Sequence, residues 1–177
     1  MGVEKDFAGF LGIEIKRFPD DTIKLIQTGS IDRCLEAVEL GHDNTNPRLE
    51  PAEKDPLGKD ENGRPRRERW SYPSVIGMLL TLSSNSRPDI SFAVSQCARF
   101  NHCPRLCHKI AVKRIARYLE GSRTRQGLIL KPESNLSLAM YADADFAGLW
   151  TAEDHDDPIC VRSCTGCAIT LGGVPIT

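Results

Sequence analysis

The chain has 177 residues, 40% hydrophobic and 27% charged, with a formal net charge of −1. That length fits one domain or two small ones, and the composition excludes collagen-like, low-complexity and wholly disordered classes. No apolar run approaches the roughly 18 residues that span a bilayer, and Met1 to Phe10 carries Glu4, Lys5 and Asp6 with no apolar stretch, so an intracellular protein of cytoplasm or nucleus is expected, without signal peptide or membrane segment. Seven cysteines without a secretory signal point to free thiols in a reducing compartment.

In chain order, Phe10 to Ile15 reads as a strand, Pro19-Asp20-Asp21 as a turn and Thr22 to Gln27 as a second strand, together a hairpin. Ser30 then looks like an N-cap, with Ile31, Leu35, Ala37 and Val38 at helical spacing and Gly41 as a stop. Asn44 to Arg69 holds Pro47, Pro51, Pro56, Pro65, Gly58 and Gly63 and is expected to be an exposed, partly ordered loop or tether. Tyr72, Val75, Ile76, Leu79 and Leu82 share one helical face, capped by Ser71 with Pro73 in the first turn. Arg87-Pro88-Asp89 starts another helix, with Ile90, Ala93, Val94, Cys97 and Ala98 as its buried stripe.

Pro104 opens the next helix, which Gly121 ends. Cys107, Ala111, Ile115 and Tyr118 line one face of it, and Lys109, Lys113 and Arg117 the opposite one. The remainder is strand-like: Gly127 to Leu130, then Leu136 to Asp143 with Leu136, Leu138, Met140 and Ala142 on one face. Cys167, Ile169 and Leu171 alternate in a further strand, and Gly172-Gly173 is a hairpin signal before Val174. A hairpin, helices and then strands make the fold class α+β.

The near-neutral total conceals two opposed blocks. Arg99 to Lys131 holds nine bases against Glu120, a net +8, whereas Glu133 to Asp157 holds seven acids and no Lys or Arg, a net −7. The basic block suits a polyanion partner through the Lys109, Lys113 and Arg117 stripe, in sequence-independent, salt-sensitive contact. The plain alternative is that both blocks are solvated faces and the helix an ordinary amphipathic one. In the acidic block, Asp143-Ala144-Asp145 ends an apolar strand. Two carboxylates on one strand face lie about 7 Å apart, and hard oxygen ligands suit Mg²⁺. The Cys103, Cys107 and Cys160, Cys164, Cys167 groupings match no zinc-knuckle spacing. No glycine-rich phosphate loop and no local Ser–His or Cys–His motif appears.

These residues, taken in order, resemble a known family: the end of the reverse transcriptase region of copia-type retrotransposon Pol polyproteins, running into the ribonuclease H domain. The resemblance rests on Phe10-Leu11-Gly12-Ile13-Glu14-Ile15, Gln27-Thr28, Tyr72 through Leu82, Arg87-Pro88-Asp89-Ile90, Arg117-Tyr118-Leu119-x-Gly121-Ser122 and Tyr141-x-Asp143-Ala144-Asp145-Phe146-Ala147-Gly148. Arg162-Ser163-x-Thr165-Gly166 and Gly172-Gly173 complete the series.

The resemblance implies roles and boundaries. Residues 1–43 would hold the end of the palm, with Phe10, Leu11 and Gly12 in a hairpin resembling the primer grip, and the start of the thumb. Residues 44–71 would be a linker, 72–131 thumb- or connection-like helices that track the nucleic acid, and 132–177 the first strands of a ribonuclease H-like α/β domain, incomplete here. Asp143 would be the first catalytic carboxylate of that domain and a Mg²⁺ ligand, with Asp145 a weaker one. Partners would be an RNA–DNA hybrid or template-primer and the rest of the polyprotein, with no membrane. The polymerase Asp pair and the other ribonuclease H carboxylates are missing from the matched motifs, so the chain by itself is expected to have neither activity. Two other readings stand beside this one: a non-catalytic nucleic-acid-binding module, and a domesticated interaction protein.

Overall fold

The computed structural model describes residues 12–40, 46–67, 69–131, 133–145 and 164–176. Strands β1 (Glu14–Arg17) and β2 (Ile23–Ile26) lead to α1 (Thr28–Ala37). Then come α2 (Tyr72–Asn85), a 3₁₀ turn (Pro88–Ile90), α3 (Ser91–Ala98), α4 (Leu106–Ser122) and β3 (Leu128–Leu130). The strands β4 (Leu138–Asp145), β5 (Cys164–Leu171) and β6 (Val174–Pro175) follow. The described residues form two three-stranded sheets, ordered β1-β2-β3 and β4-β5-β6, and four α-helices, so the class is α+β. The chain divides into two compact units: Met1–Lys16 with Lys24–Leu128, and Arg17–Ile23 with Ile129–Thr177.

The first unit is a helical core. α2 starts where Ser71 accepts a hydrogen bond from the Ser74 backbone N–H at 3.4 Å, with Pro73 in the first turn, where its missing N–H costs nothing. Tyr72, Val75, Ile76, Leu79 and Leu82 are buried along one face, the stripe read from their spacing. They pack with Ile31, Leu35 and Val38, with Ile90, Val94 and Cys97, and with Val112, Ile115 and Leu119. Each large aliphatic side chain buried here contributes about 1.5–3 kcal/mol relative to leaving it in water. α1 begins at Thr28, with Gln27 rather than Ser30 at the N-cap position and no side-chain cap. Gln27 is instead buried, and its Oε1 accepts from the Ser86 hydroxyl at 2.8 Å, so the polar side chain at the helix start is held by tertiary structure.

One expectation about this unit, the side of α4 that is buried, is corrected. Among the described residues the proline-rich segment carries no helix or strand and is mostly exposed, as a loop would be, and residues 46–67 form a strap bonded to the helices. The Leu57 N–H donates to Gln96 Oε1 at 3.1 Å, Arg114 Nε donates to the Ala52 carbonyl at 3.1 Å, and the Leu106 N–H donates to the Arg64 carbonyl at 3.0 Å. Arg114 also pairs with Glu53 at 2.9 Å. A Cβ on Gly121 would lie 2.8 Å from Pro47 Cβ, so only glycine lets the strap approach α4 this closely. The buried side of α4 accordingly differs from the expected one. His108, Val112, Ile115, Ala116, Tyr118 and Leu119 are buried, whereas Cys107 and Ala111 are only half-buried, because Val112, Ile115 and Leu119 face the helical core and the thinner strap lies over the Cys107 and Ala111 side.

His108 fastens the strap. Its ring is fully buried and stacks on Phe100 at 4.1 Å. Nδ1 accepts from the Arg105 N–H at 2.7 Å, which leaves Nε2 protonated to donate to the Gly58 carbonyl at 2.9 Å. Burial holds its pKa below the ordinary value near 6.5, against the opposing pull of Gly58 and Asp60. A base with a lowered folded pKa is protonated first in the unfolded chain. Its contribution is therefore complete above about pH 6.5 and is lost as pH falls below that value. Urea unfolding at stepped pH should show this loss, and His108→Gln, which has no charge to acquire, should blunt it.

The second unit is an antiparallel meander. β4 pairs with β5 from Leu138↔Leu171 to Asp145↔Cys164, and β5 with β6 through Thr170↔Pro175 and Leu171↔Val174. Gly172 and Gly173 both have positive φ, 56° and 76°, as a two-residue type I′ hairpin requires. Pro175 lies on the edge strand, where a missing N–H is tolerated. Lys131 pairs with Asp20 at 2.6 Å. That contact and Thr22 draw the Asp20 carboxyl down to about 2. The apolar face read from β4 is not buried: Leu136, Leu138 and Met140 are 64%, 71% and 66% exposed. Among the described residues no layer covers this face of the three strands, and a small sheet without one leaves its apolar side open.

Candidate functional site

Asp143 lies in β4 opposite Gly166 of β5. Cross-strand partners sit about 4.5–5.5 Å apart on the same face, and glycine there brings no side chain beside the carboxylate, so Asp143 is exposed and approachable. Asp145, two residues on, occupies the same strand face opposite Cys164; its side chain lies outside the described residues. A carboxylate of this kind is a hard oxygen donor of the sort Mg²⁺ takes. Among the described residues, no group of three or more His, Cys, Asp or Glu side chains converges on a point, so Asp143 would supply one ligand of a larger set.

Phe10 and Leu11 lie outside the described residues. Gly12, next to them, is exposed with φ +70°. The hairpin that follows is formed, and its turn is closed by the Phe18 N–H on the Thr22 carbonyl at 2.9 Å. Thr28, at the start of α1, donates from its hydroxyl to the Glu14 carboxylate of β1.

The basic side of α4 is present but narrower than the charge count implies. Lys109, Lys113 and Arg117 follow one another along the helix, all half-buried. Other cations of the +8 block are already engaged. Arg114 holds the strap, Arg123 pairs with Asp32 at 2.5 Å, and Arg125 donates to the Gly121 carbonyl at 2.8 Å. Arg114, Arg123 and Arg125 are thus committed within the fold, so the +8 block is not available to a polyanion as a whole.

One constellation was not legible in the sequence. Arg87 is 1% exposed, and its guanidinium donates to Asp89 at 2.7 and 2.9 Å, to Ser122 Oγ at 2.7 Å and to Gln126 Oε1 at 3.1 Å. The Tyr118 hydroxyl donates at 2.7 Å to Asp89 and lies 2.8 Å from Gln126 Oε1. Arg87-Pro88-Asp89 and Tyr118-Leu119-x-Gly121-Ser122, two motifs 29 or more residues apart, therefore meet in one buried network that joins the start of α3 to the end of α4.

Three of the described thiols are held in their protonated form. Cys34 and Cys97 are buried, and burial pushes each up to about 12. Cys107 is pushed up to about 11 by burial and by Asp60. All three stay protonated near neutrality.

The chain is similar to known proteins over most of its length. The chain is 36% identical over 168 residues, 95% of its length, to the retrovirus-related Pol polyprotein from transposon RE1 of Arabidopsis thaliana. It is 32% identical over 173 residues to the corresponding polyprotein from transposon RE2 of the same plant. The chain belongs to the retrovirus-related Pol polyproteins of copia-type transposons. It spans about 11% of the length of these two family members. It is also 30% identical over 165 residues to an uncharacterized mitochondrial protein of Arabidopsis thaliana, of which it covers 62%. No family model and no solved structure matches it.

Proposed function

We propose that this segment works where the polymerizing and ribonuclease H parts of a Pol polyprotein adjoin, contacting an RNA–DNA hybrid through α4 and contributing Asp143 to hybrid cleavage. The observation that supports it is the placement of an exposed carboxylate on β4, opposite Gly166, downstream of a helical unit whose α4 carries Lys109, Lys113 and Arg117. Mg²⁺, when held, would activate a water and stabilise the leaving oxygen. Asp143, with Asp145 beside it on the strand, would give oxygen ligands to it. α4 would hold the duplex by its phosphates, a contact that positions without reading sequence. The isolated chain is expected to bind hybrid without cutting it, because a two-metal site needs more carboxylates than this strand offers.

Binding by the purified chain should weaken steeply as salt rises, since counterions are released when cations meet phosphates. Lys113→Glu with Arg117→Glu should weaken it at every salt concentration, and an anisotropy titration with labelled hybrid measures both. Salt-independent binding, or none at low ionic strength, would overturn the hybrid contact. A Pol polyprotein is also the setting in which the remaining carboxylates would be supplied, and the rest of the polyprotein is the partner this reading requires.

A further inference from the structure

The strap and α4 enclose an open groove on the side where Cys107 and Ala111 are only half-buried. Its volume is about 530 Å³, inside the range of about 300–1,000 Å³ that ligand pockets occupy. Leu57 of the strap and Ala111 of α4 line it, together with Ile110, which is 54% exposed. A smaller apolar depression shares Leu57 and Ala111 and runs on to Phe92 of α3, which is 63% exposed. Apolar side chains exposed singly are ordinary, but Ile110 and Phe92 border one continuous concave strip. Three carboxylates, Glu53, Asp55 and Asp60, line the same groove. Arg114 also lines it, but its guanidinium is already bonded to Glu53 and to the Ala52 carbonyl. Asp60 accepts from the Cys107 thiol, and among the described residues no base pairs with Asp55 or Asp60.

We propose that this groove, between the strap and α4, binds an extended segment of a partner protein in which arginine or lysine alternates with apolar side chains. Charge decides the class of partner. The groove is lined by three carboxylates and one base that is already held, and residues 50–61 hold Glu50, Glu53, Asp55, Asp60 and Glu61 against Lys54 and Lys59. A phosphate backbone is repelled there and a cationic side chain is drawn in. Arginine and lysine also suit the mixed lining. Their stems lie along apolar surface such as Leu57 and Ala111 while their heads reach carboxylates, and a guanidinium can meet a carboxylate with two parallel bonds. Apolar neighbours in the segment would cover Ile110 and Phe92 and take that surface out of water. The groove is already built, because the Leu57 N–H on Gln96 and Arg114 on the Ala52 carbonyl fix the strap, which lowers the ordering cost of binding. Hybrid contact by the basic stripe of α4 is not needed for it.

The test is fluorescence anisotropy of the full chain with a labelled hexapeptide of alternating arginine and leucine. Binding should saturate, and it should weaken about tenfold or more in Asp55→Asn/Asp60→Asn, as expected when charge-assisted contacts are lost. Phe92→Ser/Ile110→Ser should weaken it independently. Asparagine keeps an oxygen for the Cys107 thiol, Phe92 and Ile110 are largely exposed, and circular dichroism checks that each variant folds. Hexapeptides with glutamate for arginine, or serine for leucine, should bind far more weakly. No saturable binding by the wild type overturns the proposal. Equal affinity for the serine peptide, or unchanged affinity in both variants, marks diffuse charge attraction and overturns it too. Self-association in sedimentation equilibrium that these substitutions abolish would give the groove to a second copy of the chain and overturn the partner segment. Loss of RNA–DNA hybrid binding in Phe92→Ser/Ile110→Ser, with peptide binding intact, would give it to nucleic acid with the same consequence.

Discussion

Replacing Asp89 by alanine lowers the unfolding free energy by about 3–5 kcal/mol, read as a drop in the urea midpoint at unchanged slope. The Arg87 guanidinium has no route to water: its side chain is 1% exposed, and Asp89 is its charge partner. Without that carboxylate a buried cation is left with neutral acceptors from Ser122 and Gln126, and the Tyr118 hydroxyl loses one of its two partners. Stranding one member of a buried pair costs far more than replacing both by apolar groups, so Arg87→Met with Asp89→Leu should lose much less than Asp89→Ala.

Acid gives a second handle on the same network. Burial raises the Asp89 carboxyl, but the hydrogen bonds from Arg87 and Tyr118 outweigh it and hold the group below its usual value of 3.8. A carboxyl lowered in the fold stabilises above that ordinary value, and the contribution disappears as pH falls through the folded pKa. Asp89→Asn should remove this acid limb of the stability profile while leaving the one from His108, which lies at higher pH.

The network also marks the limit of what a chain of letters discloses. The α2 stripe from Tyr72 to Leu82 was legible because local periodicity dictates it, and so was the Gly172-Gly173 turn, set by the backbone freedom of the glycines themselves. Arg87 could be read only as a helix-start residue, since Ser122 and Gln126 reach it from 35 and 39 residues away. The strap was invisible for the same reason. A segment without period gives no sign of where Leu57, Gly58 or Arg64 will dock. At the candidate site, Asp143 was legible because strand alternation and a local motif coincide there. Its neighbour Gly166 required the register of β4 on β5, whereas the Lys109, Lys113 and Arg117 stripe followed from helical spacing and only the engagement of Arg114, Arg123 and Arg125 required the fold.

The largest functional effect falls on that carboxylate. In Asp143→Asn the side chain keeps its size and its place opposite Gly166 but loses the charge that a hard divalent cation takes. The strand should be unaffected in stability, because the group is exposed and no charge partner holds it among the described residues. The change should therefore be read in chemistry alone, with little effect on α4 or on hybrid affinity.

The decisive measurement is Mg²⁺-dependent cleavage of the RNA strand of an RNA–DNA hybrid by a Pol polyprotein that contains this segment, with DNA synthesis measured on the same preparation. The account predicts that Asp143→Asn abolishes cleavage while synthesis and hybrid binding persist. Cleavage at the wild-type rate in that variant would contradict it.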